Sequence, residues 1–568
     1  MKRVGKMLIF MIEPIVLFYL MECYEHNPFT EVRAEAQVFN ILLFELIAWI
    51  LFGLIGSARW ALRMEAAAAI AFGLTNHYVM QFRSMPFVPW DLLSVKTAAS
   101  VAGNYDFTPS ARVVIVTILY LVNIIGLRFY DFSFKGKKRR VAALVPTTVI
   151  IMILIGFVGK LQDESFQTKH YLYPFLFTPA YMTKVNGMAV TFAMNLAYIQ
   201  VERPQGYDVR EAAALLAEYE QPDVTEPLNY PNVIVIMDEA FSDLAVLGDV
   251  NSNEDYMPFM HQIQQGEKNT VTGNLHVSVC GGNTANTEYE FLTGNTMAFL
   301  PVGSIPYQQY IREETPSLAS HLSELGYVTY AMHPYQAGGW QRDTVYPLMG
   351  FDECFFINEF KNISYVRKYV SDYSDFENVI RVLEDKPEDK PAFIFNVTMQ
   401  NHGGYTESFE NFTEDITVPT ANNKTLDRYL SLVRLTDEAL QDLVEYLKGY
   451  DEPTILLFFG DHQPNNAVAK SFPDNDDTKR YEVPYLIWAN FDIKEATNTD
   501  CSVNYLSSHL MEIAGVPTYD YQNFLMELEQ YYPILSAARW ELNGDGNDDM
   551  IMEYKRLQYY RMFDWKEN

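Results

Sequence analysis

Cysteine is scarce in this sequence, and its few copies follow no pattern. Four cysteines occur in 568 residues, and none belongs to a CxxC pair or a zinc-like spacing. This set indicates neither a disulfide scaffold nor a cysteine metal site. Positive charge is also in short supply, with 42 Lys and Arg against 72 Asp and Glu. The net charge of -30 argues against a nucleic-acid surface and favours a part that stays dispersed in water.

Long apolar runs are absent from most of the chain, and those that occur lie before about residue 160. Five segments there are apolar and long enough to cross a bilayer, which takes about 20 residues each. They cover residues 7–23, 38–56, 64–80, 113–127 and 141–158. We therefore predict a five-helix transmembrane domain over residues 1–160.

Basic residues set the expected orientation of these segments. They precede the first segment, separate the second from the third, and precede the fifth: Lys2, Arg3, Lys6, Arg59, Arg63, Lys135, Lys137, Lys138, Arg139 and Arg140. All three positions fall on one side of the membrane if the N-terminus is cytoplasmic, as the positive-inside rule expects. Five crossings from that start leave the chain after Lys160 outside the cell. We expect a multi-pass plasma-membrane protein with an extracellular soluble domain.

The soluble half shows alternating strand and helix patterns. Residues 161–228 are expected to form juxtamembrane and connecting helices. Continuous apolar runs between amphipathic stretches then predict an α/β domain over residues 229–518 with a largely parallel sheet. Residues 519–568 are expected to form a tail that packs on it. The predicted strands are 233–237, 327–331, 392–397, 454–459 and 483–488, and the predicted helices are 317–325, 426–447 and 503–513.

Two predicted strands run directly into polar residues. Asp238 and Glu239 follow strand 233–237, and Gly460-Asp461-His462 follows strand 454–459. Active sites in parallel sheets collect beyond the carboxyl ends of strands. Carboxylates with one imidazole suit Mn²⁺, Mg²⁺ or Zn²⁺. Each signal alone also fits an ordinary loop start, but together they predict a divalent metal site.

A third segment, Cys280-Gly-Gly-Asn-Thr284, offers a hydroxyl beside that site. A hydroxyl on a metal ion has a lowered pKa and becomes a usable nucleophile. The glycines permit close backbone approach, and a helix that starts at Thr284 would present its N-terminus to a phosphate. Simple capping of that helix by Thr284 explains the same pattern without chemistry.

Three of these stretches resemble the metal-site motifs of the lipoteichoic acid synthase family, the sulfatase-like branch of the alkaline phosphatase superfamily. They are residues 232–243, the run Gly-Gly-Asn-Thr-Ala-Asn-Thr-Glu at 281–288, and Gly-Asp-His at 460–462. His-Pro-Tyr at 333–335, Trp-Gln-Arg-Asp at 340–343 and Asn-His-Gly-Gly at 401–404 also match. The resemblance covers nearly the whole chain. It implies a sulfatase/alkaline-phosphatase-like α/β domain outside the cell, preceded by the membrane helices.

The resemblance also implies the ligands and the reaction. One divalent cation, typically Mn²⁺, would be bound by four residues. Thr284 would attack the phosphodiester of phosphatidylglycerol, release diacylglycerol and keep the glycerophosphoryl group. A lipid-anchored glycan or a growing polyglycerolphosphate chain would then take that group, as in lipoteichoic acid synthesis for the cell wall. The four implied metal ligands are Glu239, Thr284, Asp461 and His462.

Three further residues carry implied roles towards the substrate. Arg342, Trp340 and His402 would hold the phosphate and the glycerol. Arginine grips phosphate oxygens well, and His402 would also move a proton to or from an alkoxide as a catalytic residue. Each has a structural alternative: a surface charge for Arg342, a core aromatic for Trp340 and a turn histidine for His402.

The sequence also departs from the family and leaves other functions open. Tyr335 stands where some members have a polar substrate contact, which leaves the acceptor in question. The stretch 280–284 lacks the proline and arginine of a sulfatase nucleophile motif, so sulfatase activity is not expected. A related phosphoethanolamine or phosphoglycerol transferase that modifies membrane glycans is one alternative. A phosphodiesterase and a non-catalytic membrane scaffold are the others.

Overall fold

The computed structural model describes residues 2–83, 86–92, 107–133, 137–173, 179–196, 201–220, 230–301, 303–472 and 477–567. The chain folds into two compact units. The first contains the described residues up to Val201, and the second contains those described between 202 and 300 and from Ser304 onward.

The first unit is helical. Four of its helices contain segments that are long and apolar enough to cross a membrane, namely Val4–Glu22, Ala34–Ile55, Ala111–Phe129 and Ala142–Leu161. These correspond to four of the five predicted spans. The helices of this unit are α1 Lys2–Glu22, α2 Ala34–Ile55, α3 Ala58–Arg83, α4 Ala111–Gly126, α5 Lys137–Leu161, α6 Glu164–Lys169, α7 Pro179–Asn186 and α8 Met188–Asn195.

The predicted third span requires a correction. Residues 64–80 lie inside α3, but this helix is not apolar enough to count as a span, so the described residues contain four candidate spans and not five. The reason is polar content, since α3 carries Glu65 and Asn76 as well as basic residues in its first turns. The side chains of Glu65 and Asn76 are buried, 3% and 1% exposed, and α3 contacts α1, α2 and α4.

The second unit is built on one mixed sheet of eight strands, in the order β10-β2-β9-β8-β1-β7-β3-β4. All neighbouring pairs are parallel except those of β9, which runs antiparallel to β2 and β8. β5 pairs with β6, and β11 with β12, in two small hairpins. The strands are β1 Asn232–Asp238, β2 Thr270–His276, β3 Val328–Met332, β4 Glu353–Phe355, β5 Tyr365–Val366, β6 Tyr369–Val370, β7 Ala392–Val397, β8 Thr454–Gly460, β9 Glu482–Ala489, β10 Cys501–Ser502, β11 Ile534–Leu535 and β12 Trp540–Glu541.

Helices cover both faces of this sheet. The rings of Phe395 and Phe459, on two central strands, lie 5.9 and 5.4 Å from Phe291 of α11 on one face. On the other face, α10, α15 and α16 join one hydrophobic core with Ile234 and Leu456. The helices are α9 Val209–Ala217, α10 Pro258–Gln264, α11 Thr284–Thr293, α12 Pro306–Gln309, α13 Leu318–Glu324, α14 Arg342–Leu348, α15 Asp372–Asp385, α16 Lys424–Lys448, α17 Asn466–Ala469, α18 Val503–Ala514, α19 Asp520–Tyr531 and α20 Asp548–Phe563.

Candidate metal centre and active site

The carboxyl ends of β1 and β8 bring the first two predicted ligands together. These strands are parallel neighbours whose register pairs Asp238 with Gly460, so Glu239 and Asp461 follow at one edge of the sheet. The Ala240 N–H donates to Asp461 Oδ1 over 2.7 Å, and Ala240 has a φ of 53°, so the chain turns directly after Glu239. This turn holds both carboxylates at the strand ends.

Glu239, Asp461 and His462 form a buried cluster whose ligand atoms all lie within 4.8 Å of one another. His462 Nε2 is 3.3 Å from Asp461 Oδ2 and 3.8 Å from Glu239 Oε1. His462 Nδ1 lies 3.0 Å from the Gln463 carbonyl oxygen. A carbonyl can only accept, so Nδ1 carries a proton, and Nε2 is the ring nitrogen that faces the carboxylates.

The cluster has unmet bonding capacity that fits a cation. Asp461 Oδ2 and His462 Nε2 are buried and have no hydrogen-bond partner. Burial, together with the Asp461 charge, raises the pKa of Glu239 well above its usual range. Burial also raises the pKa of Asp461. A divalent cation would supply the missing partner and offset the repulsion between the carboxylates.

Thr284 lies directly beside this cluster. It is the first residue of α11, and its Oγ1 donates a hydrogen bond of 3.3 Å to Glu239 Oε2. Asn283, with a φ of 69°, takes the capping position, so the Thr284 hydroxyl is not used as a cap. The backbone before it follows Gly281 and Gly282, both at positive φ, and the Gly281 N–H donates to the Gln463 carbonyl over 2.9 Å. The segment that carries Thr284 is thereby tied to the loop that carries Asp461 and His462.

Arg342 is fixed by an acid that our sequence reasoning did not single out. Its Nε lies 3.1 and 3.3 Å from the two carboxylate oxygens of Glu288, and its Nη2 also pairs with Glu288. Tyr346 donates to Glu288 over 2.7 Å, and Arg342 Nη1 is 3.0 Å from His333 Nε2. Burial opposes the charge, but Glu288 raises the pKa of Arg342 above its usual value. Because Glu288 is four residues after Thr284, helical spacing on α11 could have identified it.

His402 stands at a bend beside a tyrosine. Its Nδ1 is 3.0 Å from the Tyr369 hydroxyl, and the two ring centroids are 5.3 Å apart. Burial lowers the pKa of His402 to about 3, with further contributions from the charges of Arg367 and His462. The imidazole is therefore neutral at neutral pH.

Trp340 and Arg367 lie close in sequence or in space to Arg342 and His402, respectively. Trp340 is half-buried, has a φ of 54° and precedes Arg342 by two residues. Its contact with glycerol stays a prediction. Arg367, which sequence reasoning missed, donates to the carbonyl oxygens of Gln400 and His402 over 2.8 and 2.7 Å. Nothing in its local sequence marks it, because these partners lie more than 30 residues along the chain.

The chain is similar to known proteins. The Sulfatase family model matches residues 231–516. A Rhizobium meliloti protein assigned to cyclic beta-1,2-glucan modification is 30% identical over 98% of this chain and 90% of its own length. Lipoteichoic acid synthase of Staphylococcus saprophyticus is 24% identical over 61% of this chain and 62% of its own length.

A solved structure agrees at the level of the fold. The Streptococcus pyogenes phosphoglycerol transferase GacH, in complex with sn-glycerol-1-phosphate, superposes with a TM-score of 0.51 at 23% identity. The match covers 63% of this chain and 94% of GacH. The family match and the four candidate spans together indicate a membrane-anchored enzyme of the phosphotransferase kind. It belongs to the sulfatase family, in the lipoteichoic acid synthase-like branch of the alkaline phosphatase superfamily.

Proposed function

We propose that this enzyme transfers glycerophosphate from phosphatidylglycerol to a glycan hydroxyl or to a growing polyglycerolphosphate chain, with Thr284 as the nucleophile. One observation carries the proposal: the Thr284 hydroxyl lies 3.3 Å from Glu239, inside a buried cluster with Asp461 and His462. A threonine at the start of a buried helix needs no such neighbours for packing. Chemistry at the hydroxyl explains them.

Glu239, Asp461, His462 and Thr284 would hold one divalent cation, with Mn²⁺ as the proposed ion and Mg²⁺ or Zn²⁺ as alternatives. When bound there, such a cation lowers the pKa of the threonine hydroxyl and neutralises charge on the phosphoryl oxygens. The two buried atoms without partners, Asp461 Oδ2 and His462 Nε2, support this ligand set.

The reaction divides into two balanced half reactions. In the first, Thr284 Oγ1 attacks phosphorus, the bond from phosphorus to the diacylglycerol oxygen breaks, and that oxygen takes up a proton as Thr284 loses one. In the second, the acceptor hydroxyl attacks the same phosphorus and passes its proton to the neutral His402. The Thr284–phosphorus bond breaks, and Thr284 Oγ1 takes up the proton that His402 received, which returns both side chains to their starting states. Neither half needs an oxidant or a reductant.

Arg342 would bind the phosphate during both half reactions. Glu288 fixes its guanidinium in a buried position at 3% exposure, which keeps the charge permanent and oriented. A charge placed in advance stabilises the transition state without reorganisation at the moment of reaction. Trp340, half-buried just before this arginine, would contact the glycerol.

A glycan acceptor is the version we favour. A relative that aligns over almost the whole chain, at 30% identity, is assigned to glucan modification, whereas the lipoteichoic acid synthase of Staphylococcus saprophyticus matches 61% of the chain. Some family members have a polar substrate contact at the position of Tyr335. In this chain the position carries an aromatic ring, whose centroid lies 6.4 Å from that of Tyr369. A phosphoethanolamine donor, or water as the acceptor, are the competing reactions.

Separate donors and acceptors test this choice. The enzyme with Mn²⁺ is offered phosphatidylglycerol or phosphatidylethanolamine, each with a neutral glucan or with a glycerolphosphate-bearing glycolipid. We expect diacylglycerol from phosphatidylglycerol and a glycerophosphoryl group on the glucan. Product only from phosphatidylethanolamine would reassign the donor, and free glycerol phosphate alone would indicate a phosphodiesterase.

We also propose that the catalytic unit lies outside the cell. Four crossings would return the chain to the side on which it started, so this orientation needs one further crossing besides the four candidate spans. The helix α3 could provide it by its length, although its composition keeps it out of the candidate spans. A helix of 26 residues is about 39 Å long, enough to span a bilayer. The burial of Glu65 and Asn76 supports this, because polar side chains in a membrane face other helices. Protease added to intact cells should cleave the chain after Glu202. Full protection of that region would refute the orientation.

A further inference from the structure

Arg367 occupies an unusual position for an arginine. It stands in the turn between β5 and β6 with a φ of 57°, a left-handed conformation that strains a residue with a side chain. Its side chain is folded inward and is only 4% exposed. Strained and buried charged residues cluster at functional sites, where the surrounding structure holds them.

The guanidinium of Arg367 is held on one side only. Its Nη2 donates to the carbonyl oxygens of Gln400 and His402, at 2.8 and 2.7 Å. Its central carbon lies 5.4 Å from the ring centroids of both Tyr369 and Tyr405. Its Nε and Nη1 are buried and have no hydrogen-bond partner. Two charged donors thus remain unused inside the protein.

Arg342 and Arg367 differ in whether a carboxylate balances their charge. Arg342 is neutralised by Glu288, but no carboxylate among the described residues forms an ion pair with Arg367. Burial lowers the pKa of Arg367, and the charge of Glu239 is among the effects that oppose this. A buried cation without a counter-ion is costly, so the working enzyme is expected to bring an anion to it.

We propose that Arg367 is a second anion-binding arginine of this site and contacts an oxygen of the phosphoryl group that is transferred. Arg367 donates to the His402 carbonyl oxygen over 2.7 Å and lies over the ring of Tyr369, whose hydroxyl is 3.0 Å from His402 Nδ1. It therefore adjoins His402, the residue proposed to move a proton in the reaction. Arg342 and Arg367 would then bind the phosphoryl group together, from a helix start and a hairpin turn respectively. The inference rests on the proposed function and adds a residue to it.

Phosphate binding tests the inference without turnover. The full chain in lipid nanodiscs is loaded with Mn²⁺, and thermal stabilisation by added inorganic phosphate is measured. We expect Arg367→Gln to weaken phosphate binding roughly tenfold or more, the typical loss of a charged hydrogen bond. Arg367→Lys should retain part of it. Phosphate affinity equal to wild type in both variants would overturn the proposal, as would a wild type that phosphate does not stabilise.

A matched control is available in Arg381. It also lies over an aromatic ring, 6.0 Å from Phe355, but is partly exposed and hydrogen-bonds to Asn378. Arg381→Gln should leave phosphate affinity within about twofold of wild type, as expected of a surface substitution. If Arg367→Gln fails to fold, Arg367→Lys carries the test, because the lysine keeps the buried charge but loses the guanidinium donors.

A second arm separates the transferred phosphoryl group from a phosphate on the acceptor. Formation of the Thr284 adduct is followed with Mn²⁺ and phosphatidylglycerol but without acceptor. Our proposal predicts slower adduct formation in Arg367→Gln, with a higher KM for the lipid. Normal adduct formation with loss only of the later transfer would overturn it in favour of an acceptor phosphate. A wild type that binds phosphate but forms no adduct would sink the proposed function alone.

Discussion

Replacing Glu288 by glutamine should destabilise the catalytic unit through a charge that loses its partner. Glu288 is 0% exposed and Arg342 3%, and the two share several hydrogen bonds. Glutamine keeps the shape but removes the negative charge, which leaves Arg342 buried and uncompensated. Removing one partner of a buried ion pair costs about 3–5 kcal/mol. That is a large share of a typical stability of about 5–15 kcal/mol.

The assay is thermal unfolding of the full chain in nanodiscs, followed by tryptophan fluorescence. At roughly 2–4 °C per kcal/mol, a loss of about 3 kcal/mol lowers Tm by roughly 6–12 °C. Glu438→Gln is the control, because Glu438 pairs with Arg434 at 2.8 Å but is 53% exposed. Exposed pairs contribute about 0–1 kcal/mol, so this variant should shift Tm by less than about 4 °C.

The double variant Glu288→Gln with Arg342→Met gives the decisive comparison. It removes both charges, so it should be more stable than Glu288→Gln alone while remaining inactive. A double variant less stable than either single one would refute the reasoning, since that would show additive packing losses. Equal Tm shifts for Glu288→Gln and Glu438→Gln would refute it as well.

Three further predictions concern other parts of the unit. Mn²⁺ at a free concentration of a hundred times its Kd should stabilise the fold by about 2.7 kcal/mol and so raise Tm. Glu239→Gln should abolish this rise in a thermal melt. Burial lowers the pKa of His261, but hydrogen bonds and charges of Asp243 and Asp255 raise it to about 9. The stabilisation from this histidine is therefore fully present below its unfolded pKa and is lost as pH rises through about 9. The difference in Tm between wild type and His261→Gln should vanish above that pH. Gly460→Ala should unfold the unit or shift Asp461, because its Cβ would lie 1.9 Å from the Phe241 carbonyl oxygen, and circular dichroism would detect either.

The strands that carry the site were predictable because they are buried on both faces. The predicted strand 392–397 coincides with β7, and 454–459 differs from β8 by one residue. No apolar run marks β2, because only Val271 and Leu275 are apolar side chains within Thr270–His276. The antiparallel direction of β9 was equally hidden, since an apolar run does not encode strand direction.

The site shows the same division between local and long-range information. Glu239 and Asp461 could be predicted, because residues after parallel strands emerge at one edge. Glu288 was within reach through its spacing from Thr284 on one helix. Arg367 was not, because its position depends on a hairpin turn and on two distant carbonyl groups. The sequence prediction counted residues 64–80 as a span, but the polar residues of α3 keep this helix out of the candidate spans, and their burial depends on neighbouring helices.

The intact mass of the enzyme after incubation with Mn²⁺ and phosphatidylglycerol tests the central claim most directly. We predict an added glycerophosphoryl group on the wild type, mapped to Thr284, and none on Thr284→Ala. The hydroxyl 3.3 Å from Glu239 is the reason for this expectation. An adduct that persists in Thr284→Ala, or the absence of both adduct and diacylglycerol in the wild type, would contradict the account.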